Sequence, residues 1–279
     1  MGLIVGDEGQ GLLIDTGLDK DAARKLRRSL GELGVELEAI IITHAHADHF
    51  GGGHYLVRSL GVPVYAPALE AAVIANPILE PLYLFGGAEP PKELRSKFLL
   101  AKPCPVAGII EPGPTSFAGI EVEVISLPGH APNQIGVAYG DVLFCADAFF
   151  PPEVLEKHKI PFCVNIDLAL ETLERLAESS YAHFAPGHGD PLDSVEEVVR
   201  LNAARLREIK GLVYGLLARP RQSQELLKGV CDFYGLRMEI ASSFYLNYAT
   251  IHAALSSLQA EGKVGMRLEG NALLWFRAE

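Results

Sequence analysis

The stretch IIITHAHADHFGGGH, residues 40–54, sets four histidines and an aspartate directly behind a run of isoleucines. A brief β-branched run favours a buried strand over a helix. Imidazole and carboxylate at the end of such a strand imply a cation that gathers them, because unpaired polar groups are costly there. Residues two apart in extended backbone project to one side, so His44 and His46 can reach one ion together. Asp48 and His49 fall where the chain turns into the next helix, and they suit a second ion. A catalytic zinc site typically takes three protein ligands and keeps a position for water. The stretch therefore leaves each ion short, and other segments have to complete the set.

Three segments do so at strand ends. SLPGHAPNQ places His130 behind a Pro-Gly turn, LFCADAFF ends an apolar strand on Asp147, and FAPGHGDP places His188 behind a second Pro-Gly turn. A buried acid at a strand end is expensive unless a cation compensates it. Three strand-terminal polar residues in turns are what a site at one sheet edge requires. His54, His158, His183 and His252 lack such a setting and read as non-ligands.

The flanking chain alternates strand and helix. Leu3–Val5 and Gly11–Asp15 read as a hairpin, residues 21–33 as a helix stopped by Gly34, and Ala39–Thr43 as a strand. Phe50–Leu60 reads as one helix ending at Gly61, followed by a strand at Val62–Tyr65. Residues 66–118 are punctuated by prolines and read as an insertion over the surface near the active site, with Tyr83 and Phe85 either as pocket walls or as parts of a rigid surface segment without a substrate role. Strands return from Ile120 through Asp147, then a helix at Leu168–Glu178 and the strand YAHFAP. Ser194 with Glu197 reads as a capping box opening a long helix to about Leu217. ARPRQ, residues 218–222, is the linker candidate. Helices at Glu225–Tyr234 and Ala249–Ala260, then a two-stranded ribbon, form a winged-helix-like pattern, with the apolar SSFYLNY preceding the second helix.

Composition bounds the function. A chain of 279 residues with 49% hydrophobic and 21% charged residues is of globular type. A net charge of −11 gives no general attraction to nucleic acid or anionic membrane. The N-terminus lacks the marks of a secretory signal, and no uninterrupted apolar run of about 18 residues is present, so a cytoplasmic protein without membrane contact is expected. Cys104, Cys145, Cys163 and Cys231 show no metal-binding spacing and read as buried, reduced thiols.

THAHADH, PGH, the strand-terminal Asp147 and PGHGD, in this order and after LLIDTG, resemble the metallo-β-lactamase superfamily of hydrolases over roughly residues 1–210. The resemblance implies an α+β fold, a four-layer αββα sandwich with the metals at one edge. The catalytic part would span 1–214 and a small winged-helix-like domain 215–279. The resemblance assigns His44, His46 and His130 to the first metal, and Asp48, His49 and His188 to the second, with Asp147 bridging both. Asp15 would orient the ligand loop from outside the coordination sphere. Two departures stand out: the family has another strand before GLIVG, so a shortened sheet edge or a start farther upstream is expected. Ala146 replaces the usual glycine before the bridging aspartate, a change expected to matter little.

A dinuclear metal-dependent hydrolase follows from the resemblance, with a metal-bridging hydroxide attacking a small ester, thioester or lactone and Asp48 orienting it. Zinc is the first expectation for both ions, and iron or manganese also suits the ligands. An endoribonuclease of the same superfamily is the runner-up, then a mononuclear iron persulfide dioxygenase, then a non-enzymatic nucleic-acid-binding regulator. From Gly211 to Glu279 seven Lys and Arg stand against six Asp and Glu. That balance disfavours nucleic acid as partner and leaves packing or homodimerisation as the expected role of the C-terminal part.

Overall fold

Strand parity sorts the apolar residues of this chain into layers. The computed structural model describes residues 1–278. β1 (Gly2–Val5) and β2 (Gln10–Ile14) pair antiparallel, then α1 (Lys20–Leu33) crosses to β3 (Glu36–Ile41), which lies parallel to β2. Asp19 caps α1 by accepting from the backbone N–H groups of Asp21 and Ala22, and Gly34 ends the helix at φ 69°. Only glycine adopts that backbone without steric cost.

α2 (Ala47–Phe50) and α3 (Gly53–Leu60) lead to β4 (Val64–Ala66), α4 (Ala68–Ala75), α5 (Leu79–Leu84), a 3-10 turn at Lys92–Leu94 and β5 (Gly108–Ile109). β1 to β5 form the first sheet in sequence order. The second sheet runs β10-β9-β8-β7-β6, from β6 (Gly113–Phe117), β7 (Ile120–Ser126), β8 (Ile135–Tyr139), β9 (Val142–Ala146) and, after α6 (Pro152–His158) and α7 (Ile166–Glu178), β10 (His183–Pro186).

Leu12, Ile14, Ala39 and Ile41 face inward onto Ile120, Val122, Val124, Ile135 and Val137 of the second sheet. Their neighbours Leu13, Ile40 and Ile42 face outward, onto Ala23, Leu30, Leu56 and Ile74 of α1, α3 and α4. On the far side Leu143, Cys145 and Phe184 meet α7 and α8 (Glu196–Leu216) through Leu173, Leu176 and Leu206. The result is helix, sheet, sheet, helix, as expected for the mixed α/β sandwich. Each such side chain contributes roughly 1.5–3 kcal/mol on burial.

The last core does not stop at the sandwich. It continues through Leu226 and Val230 of α9 (Ser223–Tyr234), Ile251 and Leu255 of α10 (Ala241–Ala260), Val264 of β11 (Val264–Glu269) and Trp275 of β12 (Ala272–Arg277). The expected division between residues 214 and 215 therefore falls inside α8, with apolar packing on both sides of it. β11 and β12 pair antiparallel, and Arg221 forms a further bridge to Trp275. Among the described residues, no helix is long and apolar enough to cross a membrane.

Several expectations need correction. The helix read over 50–60 is two, broken at Gly51 and Gly52, where the carbonyl oxygens of Leu18 and Thr16 leave no room for a Cβ. Ser194 is not a cap: α8 begins at Glu196 without a side-chain cap, because Leu192 is held to Phe184 and the helix starts a residue late. The Gln222 backbone N–H donates instead to Glu225 at the start of α9. SSFYLNY lies inside α10, which begins at Ala241. Residues 66–118 hold two helices and supply the edge strand of each sheet, with Pro114 on edge strand β6, where a missing N–H is tolerated.

Candidate metal centre

Every candidate ligand sits just past a strand or at a helix start on one edge of the sandwich. His44 and His46 follow β3, and His46 is the N-cap of α2, which carries Asp48 and His49. His130 follows β7, Asp147 follows β9 and His188 follows β10. His46 Nδ1 lies 3.0 Å from His44 Nε2 and 2.9 Å from His130 Nε2. Asp147 reaches His49 Nε2 at 3.3 Å, His188 Nε2 at 3.4 Å and His130 Nε2 at 3.5 Å, and Asp48 lies 3.3 Å from His188 Nε2. Three groups have ligand atoms close enough to hold an ion: His44, His46 and His130; Asp48, His49 and His188; and His44, His49 and Asp147.

The far ring nitrogens are already engaged. The Thr43 hydroxyl donates to the Asp15 carboxylate, so its oxygen accepts from His44 Nδ1 at 3.1 Å. His130 Nδ1 donates to the Phe162 carbonyl at 3.0 Å, and His49 Nδ1 to Asp15 at 2.8 Å. In the neutral ring, each of these bonds leaves the Nε2 lone pair facing the cluster. Asp15 thus holds the His49 imidazole directly and the His44 imidazole through Thr43, and its backbone is left-handed at φ 61°.

Electrostatics prepare the same result. Burial holds the His44 imidazole well below its ordinary value, with help from His49 and His46. Burial and His130 bring His46 down to about 3, and burial lowers His130. These three are neutral and have lone pairs to give. Burial opposes ionisation of Asp48, but the hydrogen bond from His188 brings it to about 2; Asp147 is held low against burial by His49 and His188. The hydrogen bonds to Asp147 and Asp48 lift His188 to about 9. Burial works against a charged His49, yet Asp147 and Asp15 raise it well above the usual range. A field that strong favours any cation between the carboxylates, a divalent ion included. His49 Nε2 and Asp147 Oδ1 are buried without a hydrogen-bond partner among the described residues, which fits a metal between them.

His44 is fully buried, whereas the side chains of Asp48 and His188 are 39% and 40% exposed, so the centre opens on the Asp48 side. A trench of about 680 Å³ starts there and runs between Phe150, His158 and Phe162 on one wall and Met238, Leu246 and Asn247 on the other. Tyr83 and Phe85 do not line it; Phe85 packs on Tyr245 of α10. His54 donates to the Pro103 carbonyl, His183 pairs with Asp193 and His252 packs on Tyr248, all apart from the cluster.

Two features escaped the sequence reading. Glu70 of α4 accepts from the N–H groups of Ala45 and Asn133, both at 2.9 Å, and ties together the ligand loops of the two sheets. Its one signal was an acid within the apolar run ALEAAVIA. Ala146 has φ 48°, a conformation that costs a residue with a Cβ about 1–2 kcal/mol. The expectation that this replacement matters little is corrected: the backbone before Asp147 is strained.

The model of the metallo-beta-lactamase superfamily matches residues 1–206. A hydroxyacylglutathione hydrolase of Albidiferax ferrireducens is 30% identical over 152 residues, covering 53% of this chain and 46% of that protein. The chain thus spans about half the length of that relative. The probable metallo-hydrolase YflN of Bacillus subtilis is 28% identical over 212 residues, covering 65% of this chain and 76% of that protein. Among solved structures, a metallo-beta-lactamase family protein from Thermus thermophilus superposes with a TM-score of 0.75 at 24% identity, covering 99% of this chain and 92% of that one. At that identity the likeness speaks to the fold.

Proposed function

The chain belongs to the metallo-beta-lactamase superfamily, and on that premise we propose a metal-dependent hydrolase of a small ester, thioester or lactone. It works with two divalent ions, zinc foremost. The observation that carries this reading is the convergence of seven candidate ligand side chains, three of which, His44, His49 and His130, have their outward nitrogens tied off by Thr43, Asp15 and Phe162. The relative named as a hydroxyacylglutathione hydrolase supports thioester chemistry.

His44, His46 and His130 would hold one ion, and Asp48, His49 and His188 the other, with Asp147 between them. When bound, the ions make water available as a nucleophile at neutral pH and polarise the scissile carbonyl. Asp48 lies at the open mouth of the centre, its side chain 39% exposed, where its carboxylate would orient the attacking water. Phe150 and Phe162 exclude solvent from the inner end of the trench, and Asp15 with Thr43 keeps the imidazoles from turning.

The C-terminal part is read as winged-helix-like: α9, α10 and the β11–β12 ribbon, with the Arg221–Trp275 bridge in place of a third strand. Its job here is to wall the trench with residues 236–247. Metal analysis of protein purified without added metal should return about two zincs per chain, with turnover of thioester or lactone and none of RNA. One iron per chain without hydrolysis of any acyl substrate would overturn the reading.

A further inference from the structure

A second cavity lies outside the metal trench and shares no lining residue with it. It has a volume of about 560 Å³, within the range of small-ligand sites. Its walls come from three separate segments: Asp19 and Lys20 at the start of α1; Tyr55 and Arg58 of α3; and Lys97 and Lys102 from the stretch after α5.

Four cationic side chains, Lys20, Arg58, Lys97 and Lys102, meet one carboxylate there, Asp19. That carboxylate is already committed: it caps α1 and pairs with Lys97 at 2.9 Å. Lys20, Arg58 and Lys102 have no ion-pair partner among the described residues. Positive charge also extends beyond the rim. Arg27 donates to the Tyr55 hydroxyl at 3.3 Å, and Lys20 and Arg24 lie 5.8 and 6.0 Å from the Tyr55 ring centre.

In a chain of net charge −11, chance distribution works against such a concentration. Like charges brought to one concavity repel each other, and they are stabilised together when an anion enters. A planar guanidinium and several ammonium groups brought together from different segments match a group with several anionic oxygens. Its volume of about 560 Å³ suits a ligand of nucleotide size, whereas a long polyanion needs an extended track.

We propose that this cavity is a binding site for a small phosphorylated ligand, with Lys20, Arg58 and Lys102 as its anion contacts. The site is independent of the metal-centre reading, since none of its residues belongs to that centre.

The test is calorimetric titration with adenosine diphosphate, at low and at high salt, of the metal-loaded protein and of the double variant Arg58→Ala, Lys102→Ala. Both substituted side chains are exposed, and an unchanged melting temperature checks the fold; Arg58→Gln with Lys102→Gln is the second pair should the first lose stability. Saturable one-site binding is expected, weakened at least tenfold in either pair and weakened by salt. Full affinity in the variants would place the nucleotide at the metal centre and overturn the proposal. Absence of binding at low salt would overturn it as well, as would a short single-stranded RNA that outcompetes the nucleotide on this face.

Discussion

The first sheet delivers its site residues as a cluster, whereas the second delivers them singly. One turn after β3 carries His44, His46, Asp48 and His49, while His130, Asp147 and His188 come from three loops behind β7, β9 and β10. The clustered side fixes spacing through local backbone. The dispersed side depends on strand register and on the cross-sheet tie made by Glu70. The single residue at the meeting point, Asp147, touches His49 from one side and His130 and His188 from the other.

This contrast can be broken experimentally, and the largest expected effect is at Asp147. Asp147→Ala removes the carboxylate that faces ligands of both proposed ions, so bound metal should fall towards none. His46→Ala should spare the group of Asp48, His49 and His188 and keep part of the metal. Turnover of the Asp147 variant should drop by more than the roughly 100-fold that loss of an outer partner costs. Equal metal content in the two variants would erase the distinction between the sheets.

Gly187 gives the next effect. A Cβ there would overlap Asp147 Oδ1 and lie 2.9 Å from His49 Cε1. Gly187→Ala should therefore weaken metal binding about 10- to 100-fold, read by competition with a chelator. Wild-type affinity would mean that the β10 loop yields more freely than its place beside the ligands suggests.

Glu80 tests the periphery and should give the smallest change. Burial raises its carboxyl well above the ordinary 4.5, and Asp48 and Glu70 add to the rise. A carboxyl raised on folding adds stability in full below about 4.5, and loses it as pH climbs through the folded value. Glu80→Gln should flatten that decline, with a gain on the order of 1 kcal/mol in alkaline buffer, measured by denaturant unfolding across pH. An unaltered slope would mean that Glu80 is ionised and paired in solution.

The contrast between the sheets also explains what could be read in advance. HAHADH was legible because its chemistry is local, and His130, Asp147 and His188 because each ends an apolar strand. The sandwich was expected only through the family resemblance; the structure shows its parity, as with Leu12 and Leu13, which face opposite layers. Glu70 was not, because its partners Ala45 and Asn133 are backbone groups 25 and 63 residues away. The need for glycine at 51 and 52 was hidden for the same reason: the carbonyls of Leu18 and Thr16, distant in sequence, crowd those positions. The start of α10 at Ala241 is not apparent in the sequence because tertiary packing overrides the weak helical preference of the Ser, Asn and aromatic residues there.

The continuous seam of apolar side chains from Phe184 to Trp275 has a mechanical consequence. A trench wall rooted in the same interior as the catalytic sheet cannot swing as a hinged flap, since rotation would tear Ile251 and Leu255 from their neighbours. Breathing of the entrance is left to residues 235–240, which join α9 to α10 with neither helix nor strand to stiffen them. The width of the trench mouth then follows the play of one short connection.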